Sequence, residues 1–107
     1  MSILLVFTTV ATPEQAQNLV RVLIQERRAA CAQFHSVQST YEWRGEIVNE
    51  EEFRILFKTS KHNADALMSR LREIHPYELP AICAMESSVG DDAFELWVNT
   101  QSQIRSD

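Results

Sequence analysis

The segment HPYELPAI, residues 75–82, holds the strongest candidate for chemistry in the sequence, the imidazole of His75. Imidazole is a common ligand of copper and zinc, and a loop at the end of a helix is a place where binding residues gather. An alternative is that the ring caps the last helical carbonyls while Tyr77 packs under the loop. The other histidines, His35 and His62, are expected on the surface, on a strand face and in the first turn of a helix. His75 is therefore the one candidate metal ligand among the histidines.

The sequence contains no recognisable catalytic pattern. It has no GxSxG, HExxH or GxxxxGK[ST] motif, and its two glycines cannot form a glycine-rich phosphate loop. Cys31 and Cys83 lack CxxC spacing, and nothing places either beside a histidine, so both are expected to be small buried apolar groups. We therefore predict that the protein is not an enzyme.

Length and charge narrow the classes of partner. A chain of 107 residues with 45% hydrophobic residues is expected to form one domain, 1–107, with a single core. The formal net charge of −5 argues against a nucleic-acid partner, because binding to phosphates depends on clustered Lys and Arg. The first residues lack a charged leader region, and the apolar run 3–7 is too short to cross a bilayer. These features predict a cytoplasmic protein without a membrane partner.

Hydrophobic periodicity and capping residues predict a complete order of elements. In chain order they are a strand at 3–9, a helix opened by Thr12, two strands within 31–59, a helix opened by Ser60 and ended by Pro76, a strand within 81–87, and a short helix behind an Asp92–Glu95 capping box. This βαββαβ order, with a C-terminal helix, is typical of the ferredoxin-like α+β fold, an antiparallel sheet with two helices on one face. The usual strand order 4-1-3-2 places Cys31 and Cys83 on opposite edges, too far apart for a disulfide.

The segment 31–59 is predicted to be a long β-hairpin around the turn Arg44-Gly45. Pairing Trp43 with Glu46 sets a register in which opposed residue numbers sum to 89. On that register one face is apolar at the base and polar toward the tip. The opposite face is apolar near the tip, at Tyr41, Trp43 and Val48. Each arm would reach roughly 43 Å, whereas a compact chain of this length has a radius of gyration near 13 Å, so the hairpin is predicted to protrude.

The tip of this hairpin is therefore expected to be an interaction surface, and the simplest partner is another copy of the chain. The alternative is that the tip curls back or that the strands are shorter. Glu46, Glu50, Glu51 and Glu52 divide between the two faces, so they are expected to form a solvated edge and not a cation site.

Five stretches of the sequence together resemble the CutA proteins, a family named for divalent cation tolerance. They are AACAQ, STYEWRGEI, LFKTSK, IHPYELPAI and a late LWV. The match covers nearly the whole chain, and the motifs keep their order and spacing. The resemblance implies a ferredoxin-like fold, a cytoplasmic homotrimer whose hairpins extend across neighbouring subunits, and a role in tolerance to copper and other metals.

The resemblance also implies candidate binding residues. Copper binding in the family is attributed to a cysteine late in the first strand and two adjacent histidines before Pro-Tyr, positions that here hold Phe7, Ile74 and His75. His75 is then the one implied ligand for Cu²⁺ or another divalent cation. By analogy with the similar PII signalling trimers, the alternative is a non-enzymatic scaffold or sensor that binds a small molecule or protein between subunits. The candidates for that contact or cleft are Tyr41, Trp43, Val48, Lys58 and Tyr77, with His75 beside them.

Overall fold

The computed structural model describes residues 2–104 and has the predicted order of elements. The elements are β1 (Ser2–Val10), α1 (Pro13–Gln25), β2 (Cys31–Trp43), β3 (Glu46–Thr59), α2 (Ala64–Ile74), β4 (Ile82–Ser88) and α3 (Asp92–Gln101). A single turn of 3₁₀ helix, Lys61–Asn63, precedes α2. This arrangement confirms the ferredoxin-like α+β class.

One antiparallel sheet holds all four strands in the order β2-β3-β1-β4, which is the predicted order read from the opposite edge. β2 pairs with β3 from Cys31↔Lys58 to Trp43↔Glu46, in the predicted register. The turn residues Arg44 and Gly45 have φ values of 52° and 83°, and two positive φ values are typical of a type I′ hairpin turn. Both cysteines are free thiols on opposite edge strands. Cys83 is exposed, so the expected burial of both cysteines is wrong for Cys83.

The core lies between one face of the sheet and the two longer helices. α1 begins where predicted, because the Thr12 hydroxyl accepts from the Gln15 N–H at 3.1 Å and the Gln15 side chain accepts from the Ala11 N–H at 3.0 Å. The buried cluster is formed by Val6, Val10, Ile55 and Phe57 of the sheet with Ala16, Leu19, Leu23, Ala29, Leu67 and Leu71. No helix within residues 2–104 has the length and hydropathy that crossing a bilayer requires.

The β2–β3 hairpin extends beyond the rest of the sheet, as predicted. β1 pairs with β3 only as far as Val10↔Phe53, so residues 46–52 of β3 pair with β2 alone. The longest dimension of the molecule is 46 Å, and its radius of gyration is 14.6 Å, larger than the roughly 13 Å of a compact chain. Tyr41 and Trp43, on this distal part, are 39% and 45% exposed.

Candidate functional site

His75 ends α2 and begins the loop that leads to β4. Its backbone N–H donates to the Leu71 carbonyl at 2.9 Å, and its φ and ψ of −66° and 136° take the chain out of the helix. Pro76 imposes this conformation, because a residue before proline is kept out of the α region. The side chain turns inward and is buried, with 8% of the residue exposed.

Both ring nitrogens of His75 have partners within the chain. Nε2 lies 2.9 Å from the Thr8 hydroxyl oxygen and 3.1 Å from the Thr9 carbonyl oxygen. Nδ1 lies 3.1 Å from the backbone nitrogen of Tyr77. The Tyr77 N–H only donates and the Thr9 carbonyl only accepts, so Nδ1 is the acceptor and Nε2 carries the proton. A single neutral tautomer therefore satisfies both nitrogens.

This tautomer sets what His75 can do chemically. Burial lowers the pKa of His75, and the Thr9 carbonyl and the Glu52 carboxylate oppose that shift. The neutral ring is the form that binds metals, but its one free lone pair, on Nδ1, already accepts from Tyr77. The ring thus joins α2 to β1 instead of capping the last helical carbonyls, and a metal at Nδ1 would have to displace the Tyr77 N–H.

Two tyrosine hydroxyls donate to carboxylates of β3 near the same loop. The Tyr77 hydroxyl donates to Glu52 at 2.6 Å, and the Tyr41 hydroxyl donates to Glu50. Burial, followed by the bond to Glu52, raises the pKa of Tyr77 above its ordinary value, and the bond to Glu50 raises the pKa of Tyr41 to about 12. Glu52 is buried, with 6% of the residue exposed, so the prediction that it is solvated is wrong.

Tyr41, Trp43 and Tyr77 line one cavity between the distal hairpin and the loop after α2, which we call the hairpin groove. Its volume is ≈ 490 Å³, within the range of small-molecule sites. The remaining lining residues are Thr9, Ala11, Glu50, Glu52, Glu78, Leu79 and Ala81. Three of the predicted cleft residues therefore meet, and three carboxylates accompany them.

The structure does not bring Val48 and Lys58 into the hairpin groove. Val48 is paired with Tyr41 across the hairpin but does not line the cavity. Lys58 lies near the other end of β3, opposite Cys31, with its Nζ 5.5 Å from the centroid of the Phe94 ring. His75 lies behind the groove, in contact with the lining residue Tyr77: their ring centroids are 5.0 Å apart in an edge-on arrangement.

The two other positions that the resemblance assigns to metal ligands have no donor atom. The Phe7 ring centroid is 4.4 Å from the guanidinium carbon of Arg54, and Ile74 packs against the core. Within residues 2–104, no three His, Cys, Asp or Glu side chains are placed to hold one ion. A single copy of the chain therefore offers His75 without a set of co-ligands.

Sequence reasoning missed the acidic half of the hairpin groove, although part of it could have been found. In the predicted register, Glu50 and Glu52 lie on the same strand face as Tyr41 and Trp43, so alternation alone places them together. Glu78 carried no comparable signal, because its position depends on how the loop after Pro76 folds back.

Comparison with known proteins gives consistent matches over nearly the whole chain. Residues 4–101 match the model of a family described as CutA1 divalent ion tolerance protein. The divalent-cation tolerance protein CutA of Thermotoga maritima is 37% identical over 83 residues, which are 78% of this chain and 82% of that protein. Its counterpart in Thermus thermophilus is 34% identical over 94 residues, covering 87% and 91% of the two chains. The crystal structure of CutA from Xylella fastidiosa is similar with a TM-score of 0.90 at 37% identity, over 94% of this chain and 98% of that one.

Proposed function

The chain belongs to the CutA1 family of divalent ion tolerance proteins, and on that premise we propose that it is a cytoplasmic, non-enzymatic homotrimer that acts in divalent-cation tolerance. We propose further that it binds Cu²⁺ or another divalent cation weakly through His75. What supports the metal proposal is the family's link to divalent ions together with the tautomer of His75, whose Nδ1 keeps a lone pair of the kind that a metal binds.

The expected affinity is low for two reasons. A metal at Nδ1 displaces the hydrogen bond from the Tyr77 N–H, and neither Phe7 nor Ile74 adds a ligand. Three copies of His75 in a trimer, or acids from a neighbouring subunit, would have to supply further ligands.

Calorimetric titration with Cu²⁺ tests the metal proposal. We expect weak binding by the native protein and its loss in His75→Ala, while His35→Ala, which removes an exposed imidazole from β2, binds as the native protein does. Circular dichroism confirms that each variant is folded. Absent binding, or equal binding by His75→Ala, contradicts the proposal.

The proposal of self-association rests on the distal hairpin, and the number of three subunits rests on the resemblance to the CutA family. Tyr41 and Trp43 lie partly exposed on a segment that has no third strand beside it, and such apolar surface is typical of an interface. Sedimentation equilibrium should give three times the 12.3 kDa of one chain, about 37 kDa. A monomer at micromolar concentration contradicts it.

The cytoplasmic location is supported by the two free thiols, which are typical of a reducing compartment. Cell fractionation with antibodies against the native protein tests it, and recovery in a membrane or extracytoplasmic fraction contradicts it.

A second candidate function is a trimeric scaffold or sensor that holds a ligand in the hairpin groove. The groove favours it, because a concave cavity with aromatic walls and a few polar groups is the usual form of a small-molecule site. Native mass spectrometry of protein purified from cells should show a ligand that is absent from Leu79→Ala, which alters the groove wall and leaves the hairpin residues Tyr41 and Trp43 in place for self-association. A ligand-free native protein counts against this candidate.

A further inference from the structure

The charged side chains that line the hairpin groove are all negative. Glu50, Glu52 and Glu78 contribute three carboxylates, and none of the ten residues that line it is basic. Arg44, in the hairpin turn, is not among these ten but lines an adjoining cavity with Trp43, Glu78 and Leu79, and its guanidinium carbon is 5.6 Å from the centroid of the Trp43 ring. The three carboxylates of the groove therefore outnumber the one guanidinium beside it. Charge complementarity therefore selects a cationic ligand over a neutral or anionic one.

The carboxylates retain the capacity to bind such a ligand. A carboxylate has about four acceptor positions, and the tyrosine hydroxyls occupy one on Glu50 and one on Glu52. These hydroxyl bonds also orient both groups, because Tyr41 and Tyr77 are themselves part of the groove wall. The remaining lone pairs can accept from N–H donors.

The spacing of the carboxylates separates an organic cation from a metal ion. Although three acids line one cavity, no three acidic, histidine or cysteine side chains within residues 2–104 converge on a point where an ion could sit. A ligand whose charges are spread along its length fits this arrangement better than a single small ion. The rings of Tyr41, Trp43 and Tyr77, with Leu79, offer contact for the methylene groups between those charges, and aromatic faces attract ammonium groups.

We propose that the hairpin groove binds a small linear polyamine, a chain of protonated amines separated by methylene groups. This inference rests on the second candidate function, that the groove is a ligand site, and it names the ligand class. The carboxylates pair with the ammonium groups and the aromatic walls cover the hydrocarbon.

Fluorescence of Trp43 gives a direct test. The chain has two tryptophans, so Trp97→Phe leaves Trp43 as the sole reporter, and phenylalanine preserves an aromatic ring beside Phe94. The Trp97→Phe protein, in its native oligomeric state, is titrated in separate experiments with spermidine, 1,4-diaminobutane and Mg²⁺ at the same ionic strength. We expect saturable binding that is tightest for spermidine, weaker for the diamine and weakest for Mg²⁺.

Glu78→Gln and Glu42→Gln form a matched pair of variants. Each removes one negative charge, but Glu78 lines the hairpin groove, whereas Glu42 lies between Tyr41 and Trp43 on β2 and points to the opposite face. Glu78→Gln should weaken spermidine binding about fivefold, and Glu42→Gln should change it less than about twofold. Equal weakening in both, or Mg²⁺ binding as tight as spermidine, overturns the proposal.

Other occupants give different results. A co-purified neutral or anionic ligand that is lost in Leu79→Ala overturns the polyamine inference and leaves the groove as a ligand site. A lysine-rich peptide that binds more tightly than spermidine with the same dependence on Glu78 also overturns it, because the occupant is then a protein side chain. If neither spermidine nor any co-purified ligand binds, the polyamine inference and the second candidate function both fail.

Discussion

The two ends of the β2–β3 hairpin share one unbroken alternation of side chains but have opposite environments. At the base, Ile55 and Phe57 are fully buried under α1 and α2. In the distal part, Tyr41 and Trp43 are partly exposed and lie on the other face of the same strands. The boundary between the two regions is the end of β1, which pairs with β3 no further than Val10↔Phe53.

This difference shows that the elements packed against a strand determine whether its apolar residues are buried in the core or stay exposed. At the base, a third strand and two helices bury one face, so aromatic residues there contribute to the folding of the subunit. Beyond Phe53, β3 pairs with β2 alone, and residues of the loop after α2 face the hairpin across the hairpin groove. Aromatic residues in the distal part are therefore left partly exposed instead of joining the core.

Substitution of one aromatic residue in each region tests this comparison most strongly. Phe57→Ala should lower the free energy of unfolding by about 3–5 kcal/mol, because it leaves a cavity in a fully buried cluster. Trp43→Ala should leave the stability of the subunit unchanged and weaken self-association instead. Urea unfolding at two protein concentrations, with sedimentation, separates the two effects. If Trp43→Ala destabilises the subunit as much as Phe57→Ala does, the distal hairpin is part of the core.

The two tyrosine–carboxylate pairs provide a finer comparison at the boundary itself. Tyr77→Phe should lower the free energy of unfolding by about 1–3 kcal/mol, because it removes a hydrogen bond from the buried Glu52 carboxylate. Tyr41→Phe removes the same kind of bond from the exposed distal pair and should have no measurable effect. Thermal unfolding of both variants measures the difference. Equal stability losses would show that the distal pair is as well enclosed as the one at the boundary.

The pH dependence of stability tests the junction that His75 makes between α2 and β1. Because burial lowers the pKa of His75 in the folded state, the folded protein binds fewer protons than the unfolded chain. Its contribution to stability is therefore complete above the unfolded pKa of about 6.5 and is lost as the pH falls through the lower folded value. Urea midpoints from pH 8 down to about 5 should fall more steeply for the native protein than for His75→Gln. The exposed histidine variant His35→Gln should keep the native slope, and a native slope in His75→Gln contradicts the assignment.

Sequence reasoning succeeded where local signals agree with long-range pairing. The Arg44-Gly45 turn and strict alternation determined the register of the whole hairpin, and the order of elements determined the order of strands. The reversal of the apolar face along the hairpin was also visible in the sequence, and together with the length of the two arms it predicted the protrusion. These features depend on neighbouring residues and on the period of each element.

The site was predicted only in part, because it depends on contacts between residues far apart in the chain. Burial of Glu52 follows from the position of Tyr77, and neither the end of β1 nor the path of the loop after Pro76 has a local signal. A second local rule also failed at α3. Asp91 caps the helix through the Ala93 N–H, and Glu95 is buried with one carboxylate oxygen that has no hydrogen-bond partner among residues 2–104. The predicted Asp92–Glu95 capping box is therefore wrong, because packing of α3 on the sheet turns Glu95 inward.

The ionisation of Tyr41 gives the smallest expected effect and shows whether the distal pair persists in solution. The chain has two tyrosines, so the Tyr77→Phe variant leaves Tyr41 as the only phenol. The bond to Glu50 raises the pKa of Tyr41 to about 12, so roughly 10% of it should be ionised at pH 11. Adding Glu50→Gln should bring the pKa back toward about 10, so that roughly 90% is ionised at the same pH. Ultraviolet absorbance of tyrosinate measures both fractions, and circular dichroism at the same pH verifies the fold. If Tyr41 is mostly ionised in both variants, the carboxylate of Glu50 is not held by this hydroxyl, and the distal wall of the hairpin groove is less ordered than the boundary formed by Tyr77 and Glu52.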